Sequence, residues 1–234
     1  MPTNPFHFKQ FTITQSNAAM KVGTDGVLLG SWVKVNNPNK VLDIGTGTGL
    51  VALMLAQRSE PNTLIDAIDV DENAILDARQ NIGKSPWWNR ISTRQVSLEE
   101  FEPNNEYDIV VSNPPYFDTD GKNQTSRSLA RQNSSLNLFT LVQKSNEMLS
   151  DNGEAAFILP ITAESEILKL FEVHTFYPSR ICMVKPTLSK PPSRILIQAS
   201  RKKVQTQISE LILEPKQRHK YSKDFSLLTT EFYL

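Results

Sequence analysis

Lys40-Val41-Leu42-Asp43-Ile44 is a short apolar run, and Gly45-Thr46-Gly47-Thr48-Gly49 follows it without a break. From Leu50 to Arg58 the apolar positions Leu50, Leu53, Met54 and Ala56 then fall at helical spacing. A buried strand, a glycine turn and a helix in that order make a nucleotide-type site. Glycine lets the backbone approach a ligand closely, and the free N–H groups at the helix start point at it. The dinucleotide fingerprint would put its third glycine where this chain has Leu50. Asp43, two residues before the first glycine, would also repel a diphosphate. The same carboxylate favours a ligand carrying an ammonium and a sulfonium, such as S-adenosylmethionine.

Working outward, a second apolar run, Thr63 to Ile68, ends at Asp69, 20 residues beyond Gly49. An acidic residue there can take both hydroxyls of a ribose; it can equally cap the helix expected from Asp71 to Lys84. A third run, Tyr107 to Ser112, leads into Asn113-Pro114-Pro115-Tyr116. Two prolines fix a stiff extended backbone and hold the Asn113 amide and the neighbouring carbonyls in one orientation. An acceptor pair beside an aromatic face is what grips a planar amine: two N–H bonds accepted, one ring stacked. Taken alone, the tetrapeptide is also an Asn-Pro turn with a packed tyrosine.

These pieces together resemble the class I methyltransferases that use S-adenosylmethionine. Asp43 to Gly49 matches their first motif, Asp69 their ribose acid, and Asn113 to Tyr116 their amino-methylating signature, over a core of roughly residues 40–160. The resemblance implies an α/β, Rossmann-like fold: a mostly parallel seven-stranded sheet with a C-terminal antiparallel hairpin. It implies S-adenosylmethionine as cofactor, leaving as S-adenosylhomocysteine, held by Asp43, Gly45, Thr46, Gly47, Gly49, Asp69, Val70 and Asn113. Ser97 or Leu98 would frame the adenine; many such enzymes have an acid near there, and this chain offers Glu99 one to two places later, which leaves that contact open. Asn113, Pro114, Pro115 and Tyr116 would form the catalytic clamp.

The N-terminal stretch Met20 to Trp32, with Lys21-Val22-Gly23-Thr24-Asp25-Gly26 inside it, the Asn113 to Tyr116 tetrapeptide and the terminal Glu231 to Leu234 are together similar to a narrower group. These are the bacterial enzymes that methylate the 6-amino group of the adenine 3′ to the anticodon of a valine tRNA. That likeness spans nearly the whole chain and implies that Thr24 and Asp25 close over the methionine end of the cofactor. It also implies a tRNA anticodon stem-loop as partner. The clamp by itself supports only amino methylation, since glutamine, guanine and adenine all fit its acceptors.

Composition bounds the rest. The chain has 234 residues, 25 Lys+Arg and 25 Asp+Glu, so it suits one α/β domain with no net charge. Its expected parts are an N-terminal hairpin and first helix (1–34), a cofactor and catalytic core (40–160), and C-terminal strands with a basic tail (174–234). No apolar stretch approaches the roughly 18 residues of a membrane span, and a signal-peptide core is missing. One cysteine, Cys182, excludes internal disulfides and zinc clusters; His7, His174 and His219 are scattered. The expectation is a cytoplasmic enzyme with no metal, no membrane contact and no obligate protein partner.

Two basic groups are candidate RNA contacts: Lys122, Arg127 and Arg131 with Phe117 in the polar segment after the clamp, and Arg201-Lys202-Lys203. The elements complete the pattern. Strands are expected at 91–96, 107–112, 154–160, 176–184 and 194–200, and helices at 135–149 and 163–172. The first helix is expected to be capped by Thr24 or Asp25, and the 135–149 helix to exit at Asp151-Asn152-Gly153.

Overall fold

Near-continuous apolar runs make strands that can be buried on both faces, and four of them form the centre of the sheet. They are β3 (Lys40–Ile44), β4 (Leu64–Asp69), β6 (Tyr107–Ser112) and β7 (Leu149–Pro160). Around them lie β5 (Ile91–Gln95), β8 (Tyr177–Lys185), β9 (Arg194–Ser200) and β10 (Gln207–Ile212). The structure is a computed structural model that describes residues 4–17, 21–115, 137–215 and 220–233. Strand order is β10-β8-β9-β7-β6-β3-β4-β5. All neighbours are parallel except β7–β9 and β8–β9, so β9 is the reversed strand. A separate two-residue ladder joins β1 (Phe6–His7) to β2 (Thr12–Ile13).

Alternation along the strands divides the interior between two faces. Val41, Ile65, Ala67, Ile109 and Val111 share one cluster with α1 (Thr24–Trp32), α2 (Leu50–Arg58) and the Ala78–Ile82 side of α3 (Glu72–Gly83). Leu42, Ile44, Ile68 and Val110 pack on the other face with α4 (Leu138–Met148) and α5 (Glu164–Val173). The first cluster also takes in Phe8, Phe11 and Ile13 near the N-terminus. From the C-terminal end it takes in Phe225 of α6 (Lys223–Leu228) and Phe232. Each such side chain contributes roughly 1.5–3 kcal/mol on full burial.

Three features depart from the sequence expectation. The sheet has an eighth strand: β10 pairs parallel with β8 at the edge. Its first four residues are exposed, so its pattern lacks the apolar alternation of a half-buried strand; Leu211 anchors it, and Lys185 and Glu210 pair across the two strands at 2.7 Å. The cap of α1 is Gly23, with no side-chain bond, and Thr24 and Asp25 lie inside the first turn. The helix expected to run to Leu149 stops at Met148, before Asp151-Asn152-Gly153, because Leu149 already pairs with Tyr107. A register shift follows, and Gly153 crosses so close to Tyr107 that a Cβ would lie 2.7 Å from its carbonyl oxygen.

From β3 the chain moves through β4 to β5 on one side, then returns to β6 on the other side of β3. The strand order therefore reverses between β3 and β6, and a crevice opens at their carboxyl ends, where ligands bind in open α/β sheets. Register sets Ile44 opposite Ser112, so Gly45 and Asn113 emerge side by side.

Candidate active site

Gly45, Gly47 and Gly49 have φ of 70°, 57° and 81°, left-handed values that disfavour any residue with a Cβ. At Gly45 and Gly47 a Cβ would meet nothing within 4 Å, so open room lies beside the loop. Gly49 differs: its Cβ position is 3.4 Å from Ala78 Cα, so it also lets α3 approach. The N–H groups of Gly45 and Thr46 donate to the Ile68 carbonyl at 2.9 and 3.0 Å, tying the loop to β4.

Asp43 is 1% exposed, and its Oδ2 accepts from the Thr46 hydroxyl at 2.6 Å and the Ala52 N–H at 3.1 Å. It thus braces the glycine turn against the first turn of α2. Burial pushes its carboxyl up to about 7; the two hydrogen bonds pull it back, and the charge of Asp69 pushes it further up. Asp69 accepts from Gly47 N–H at 2.8 Å with one oxygen and from Asp71 N–H at 3.0 Å with the other. Burial raises its pKa too, against those backbone bonds. The α3 cap is Asp71, which accepts from Asn73 N–H at 2.9 Å, so the capping role that the sequence offered to Asp69 falls to Asp71.

On β6 the Ser112 hydroxyl donates to the Ile44 carbonyl at 2.8 Å, locking the strands together one residue before the clamp. Asn113 is half-buried, Pro114 buried and Pro115 exposed. The first turn of α1 comes down beside Asn113. A Cβ on Gly26 would lie 3.0 Å from Leu50 Cδ2 and 3.9 Å from Asn113 Nδ2, so α1, α2 and Asn113 converge there. Next to Gly26, Asp25 accepts from Arg194 Nε at 2.8 Å, a pair joining α1 to the start of β9.

The structure therefore brings Thr24, Asp25, Asp43, Gly45, Thr46, Gly47, Gly49, Asp69, Val70, Asn113, Pro114 and Pro115 to the carboxyl end of the sheet. Ser97 and Leu98 leave β5 at this same end, where Val96 N–H donates to the Asp69 carbonyl at 3.0 Å. The Leu98 side chain is buried in the cluster with Phe101, and the Ser97 hydroxyl lies 3.3 Å from both the backbone N–H and a carboxylate oxygen of Glu100. Other candidates lie elsewhere. Arg201, Lys202 and Lys203 follow β9, and because β9 is reversed they lie at the opposite end of the sheet from Asn113. Arg201 there donates to the Leu149 carbonyl at 2.9 Å and to Asn146, and Lys202 Nζ donates to Asn152. Tyr116, Phe117, Lys122, Arg127 and Arg131 lie outside the described residues.

Sequence reasoning missed Asn81. It is 2% exposed and bonds both Thr14 and the carbonyl of Thr48 in the glycine loop. A signal was present: Asp77 and Asn81 stand at i, i+4 within the apolar face formed by Ala74, Ala78 and Ile82. Arg194 had none, since its partner is 169 residues away.

The methyltransferase small-domain profile matches residues 15–172, which includes the loop, Asp69 and the clamp. The chain belongs to the methyltransferase small-domain family. Relatives of this methyltransferase align over nearly its whole length. A protein of Parabacteroides distasonis named tRNA1(Val) (adenine(37)-N6)-methyltransferase is 45% identical, covering 99% of this chain and 98% of the relative. One of Christiangramia forsetii with the same name is 41% identical, covering 100% and 99%. Among solved structures, a predicted O-methyltransferase from Agrobacterium tumefaciens superposes with a TM-score of 0.67 at 17% identity, over 88% of this chain and 96% of that one. A precorrin-6y C5,15-methyltransferase from Geobacter metallireducens gives 0.55 at 14%, over 82% and 94%. These structures share the methyltransferase's Rossmann-like class I fold.

Proposed function

We propose that the protein transfers a methyl group from S-adenosylmethionine to the exocyclic N6 amine of adenine in tRNA, at the base 3′ to the anticodon of valine tRNA. The observation that carries the reading is the pairing of β3 with β6, which sets the glycine loop beside Asn113 at the switch point of the sheet. Near full-length relatives carrying that name support the choice of adenine and of tRNA.

The residues fit the cofactor. Two carboxylates with raised pKa values stand around a glycine loop with open space at Gly45 and Gly47, and a cationic ligand would relieve both. Asp69 would hold the ribose hydroxyls, and Asp43 would brace the loop while countering the ligand's positive charge. When bound, the cofactor supplies an electrophilic methyl group on sulfonium.

The chain's own task is to raise the nucleophilicity of a poor amine, whose lone pair is delocalised into the adenine ring. The Asn113 side-chain carbonyl and the Pro114 backbone carbonyl would each accept one amine hydrogen, which favours a pyramidal nitrogen with its lone pair free. Positive charge growing on that nitrogen is stabilised by the same two acceptors, so the interaction strengthens toward the transition state. The prolines keep both acceptors in place without reorganisation. Tyr116 would stack on the swung-out base, worth about 1–3 kcal/mol.

The test is tritiated methyl transfer into tRNA, ribosomal RNA and DNA followed by nucleoside mass spectrometry. Label is expected in N6-methyladenosine of tRNA. Label in 2-methylguanosine, in DNA or in protein glutamine overturns the assignment.

A further inference from the structure

The Asn81 side chain joins three separated pieces of chain inside the protein. Its Oδ1 accepts from Thr14 N–H at 2.8 Å, and its Nδ2 donates to the Thr14 carbonyl at 2.8 Å and to the Thr48 carbonyl at 2.9 Å. A planar amide has one acceptor oxygen and two N–H donors in fixed directions, and all three are engaged here. One turn earlier on α3, the fully buried Asp77 accepts from Asn17 N–H at 3.0 Å and from Asn17 Nδ2 at 2.8 Å. Between the two, Ala78 packs against Gly49. One face of α3 therefore grips residues 14 and 17 of the N-terminal segment and residues 48 and 49 of the glycine loop. Filling that space for packing alone would need only an apolar side chain. An amide satisfying backbone groups of two segments makes the position of one depend on the other, because displacing either leaves buried polar atoms unpaired.

We propose that Asn81 is a positioning residue that makes the glycine loop and the 14–17 segment one cooperative unit, so that cofactor binding tightens the N-terminal segment and loosening that segment weakens the cofactor. The proposal rests on the glycine loop being the S-adenosylmethionine site. Linkage makes the effect reciprocal: whatever factor the cofactor contributes to ordering residues 14–17, those residues contribute to cofactor affinity.

The experiment pairs hydrogen exchange with calorimetry on the full chain, using S-adenosylhomocysteine as the probe. In the wild-type protein the probe is expected to slow exchange at the Thr14 and Asn17 amides by at least about 5-fold, the lower range of ordinary coupling. Asn81→Ala is expected to raise the probe's Kd about 5- to 10-fold and the KM for S-adenosylmethionine in parallel. Its kcat at saturating cofactor should stay within about 2-fold, and probe-induced slowing at Asn17 should disappear. Asn81→Asp, which keeps the acceptor but loses both donors, should show the same split. Should neither variant fold, the wild-type exchange measurement still decides. Probe binding that leaves Thr14 and Asn17 unchanged, or variants with wild-type Kd and only a lower melting temperature, overturns the proposal. A wild-type chain that does not bind the probe at all removes the cofactor reading and this proposal with it.

Discussion

Asp66 and Asp69 stand three residues apart on β4, yet they serve opposite ends of the sheet in different ways. Asp66 accepts from the Tyr107 hydroxyl at 2.7 Å and pairs with Lys40 at 3.3 Å, and Lys40 also lies 5.0 Å from the centre of the Tyr107 ring. Burial, then the bond to Asp66, keep the Tyr107 hydroxyl protonated. That charge has its cation and its donor. Asp69, with Asp43 beside it, has only backbone N–H groups and one hydroxyl; among the described residues no Lys or Arg comes within ion-pair distance of either. A buried carboxylate without a cation is costly, and an arrangement kept at that cost is the mark of a site completed by a ligand. The amino end of the sheet is finished by the chain itself, and on the proposed function the carboxyl end would be finished by the cofactor.

The contrast predicts that substitutions at the carboxyl end remove activity while the fold persists, and that those at the amino end do the reverse. The largest effect is expected for Asn113→Ala: a kcat lower by roughly 10²–10³, as for loss of one charge-stabilising group. Its S-adenosylhomocysteine affinity should stay within a few-fold and its melting temperature near that of the wild type. Equal loss of cofactor affinity would mean that Asn113 belongs to the cofactor pocket rather than to the clamp. Asp69→Ala comes next. Losing charge-assisted bonds of roughly 1.5–3 kcal/mol should weaken cofactor binding about 10- to 100-fold, read by calorimetry. Tyr107→Phe carries the mirror expectation. Leaving Asp66 without its hydroxyl donor should lower stability by about 1–3 kcal/mol in denaturant titration, with specific activity of the folded protein unchanged. A loss of kcat there would blur the division between the two ends.

A smaller effect is expected at the Asp25–Arg194 pair, which holds the start of α1 over Asn113 and is partly solvated. Arg194→Ala should raise KM values about 2- to 5-fold, the scale of a pair worth under 1 kcal/mol, and Arg194→Lys should restore part of it. An unchanged KM in Arg194→Ala would mean that packing of Gly26 on Leu50 suffices to place the helix.

What was legible in the sequence was local. The glycine loop, Asp69 and the Asn113 clamp each announce themselves within a few residues, because a strand must end, turn and present backbone at that spot. The parallel core followed from apolar runs alternating with helical ones. What was not legible depended on partners distant in sequence. Arg201 to Lys203 look like any basic patch until the reversal of β9 carries them to the far end, where Arg201 closes the exit of α4. An exposed edge strand such as β10 borrows its order from β8 and shows no pattern of its own. Asn81 and Arg194 act through groups 67 and 169 residues away.

The raised carboxyl of Asp43 gives the most direct measurement. In the free chain the folded state holds a proton that the unfolded state has released. This group's contribution to stability is therefore complete below about pH 4 and is lost as pH rises through about 7. A cationic ligand reverses the preference by favouring the ionised form. Calorimetric titration of S-adenosylmethionine at pH 5.5 to 7, in buffers of different ionisation heat, should therefore show proton release on binding and an affinity that rises with pH. In Asp43→Asn both trends should shrink to what Asp69 alone contributes. Binding that is tighter at pH 5.5 than at pH 7, or that takes up protons, would contradict the claim that the carboxyl end of this sheet is completed by a cationic cofactor.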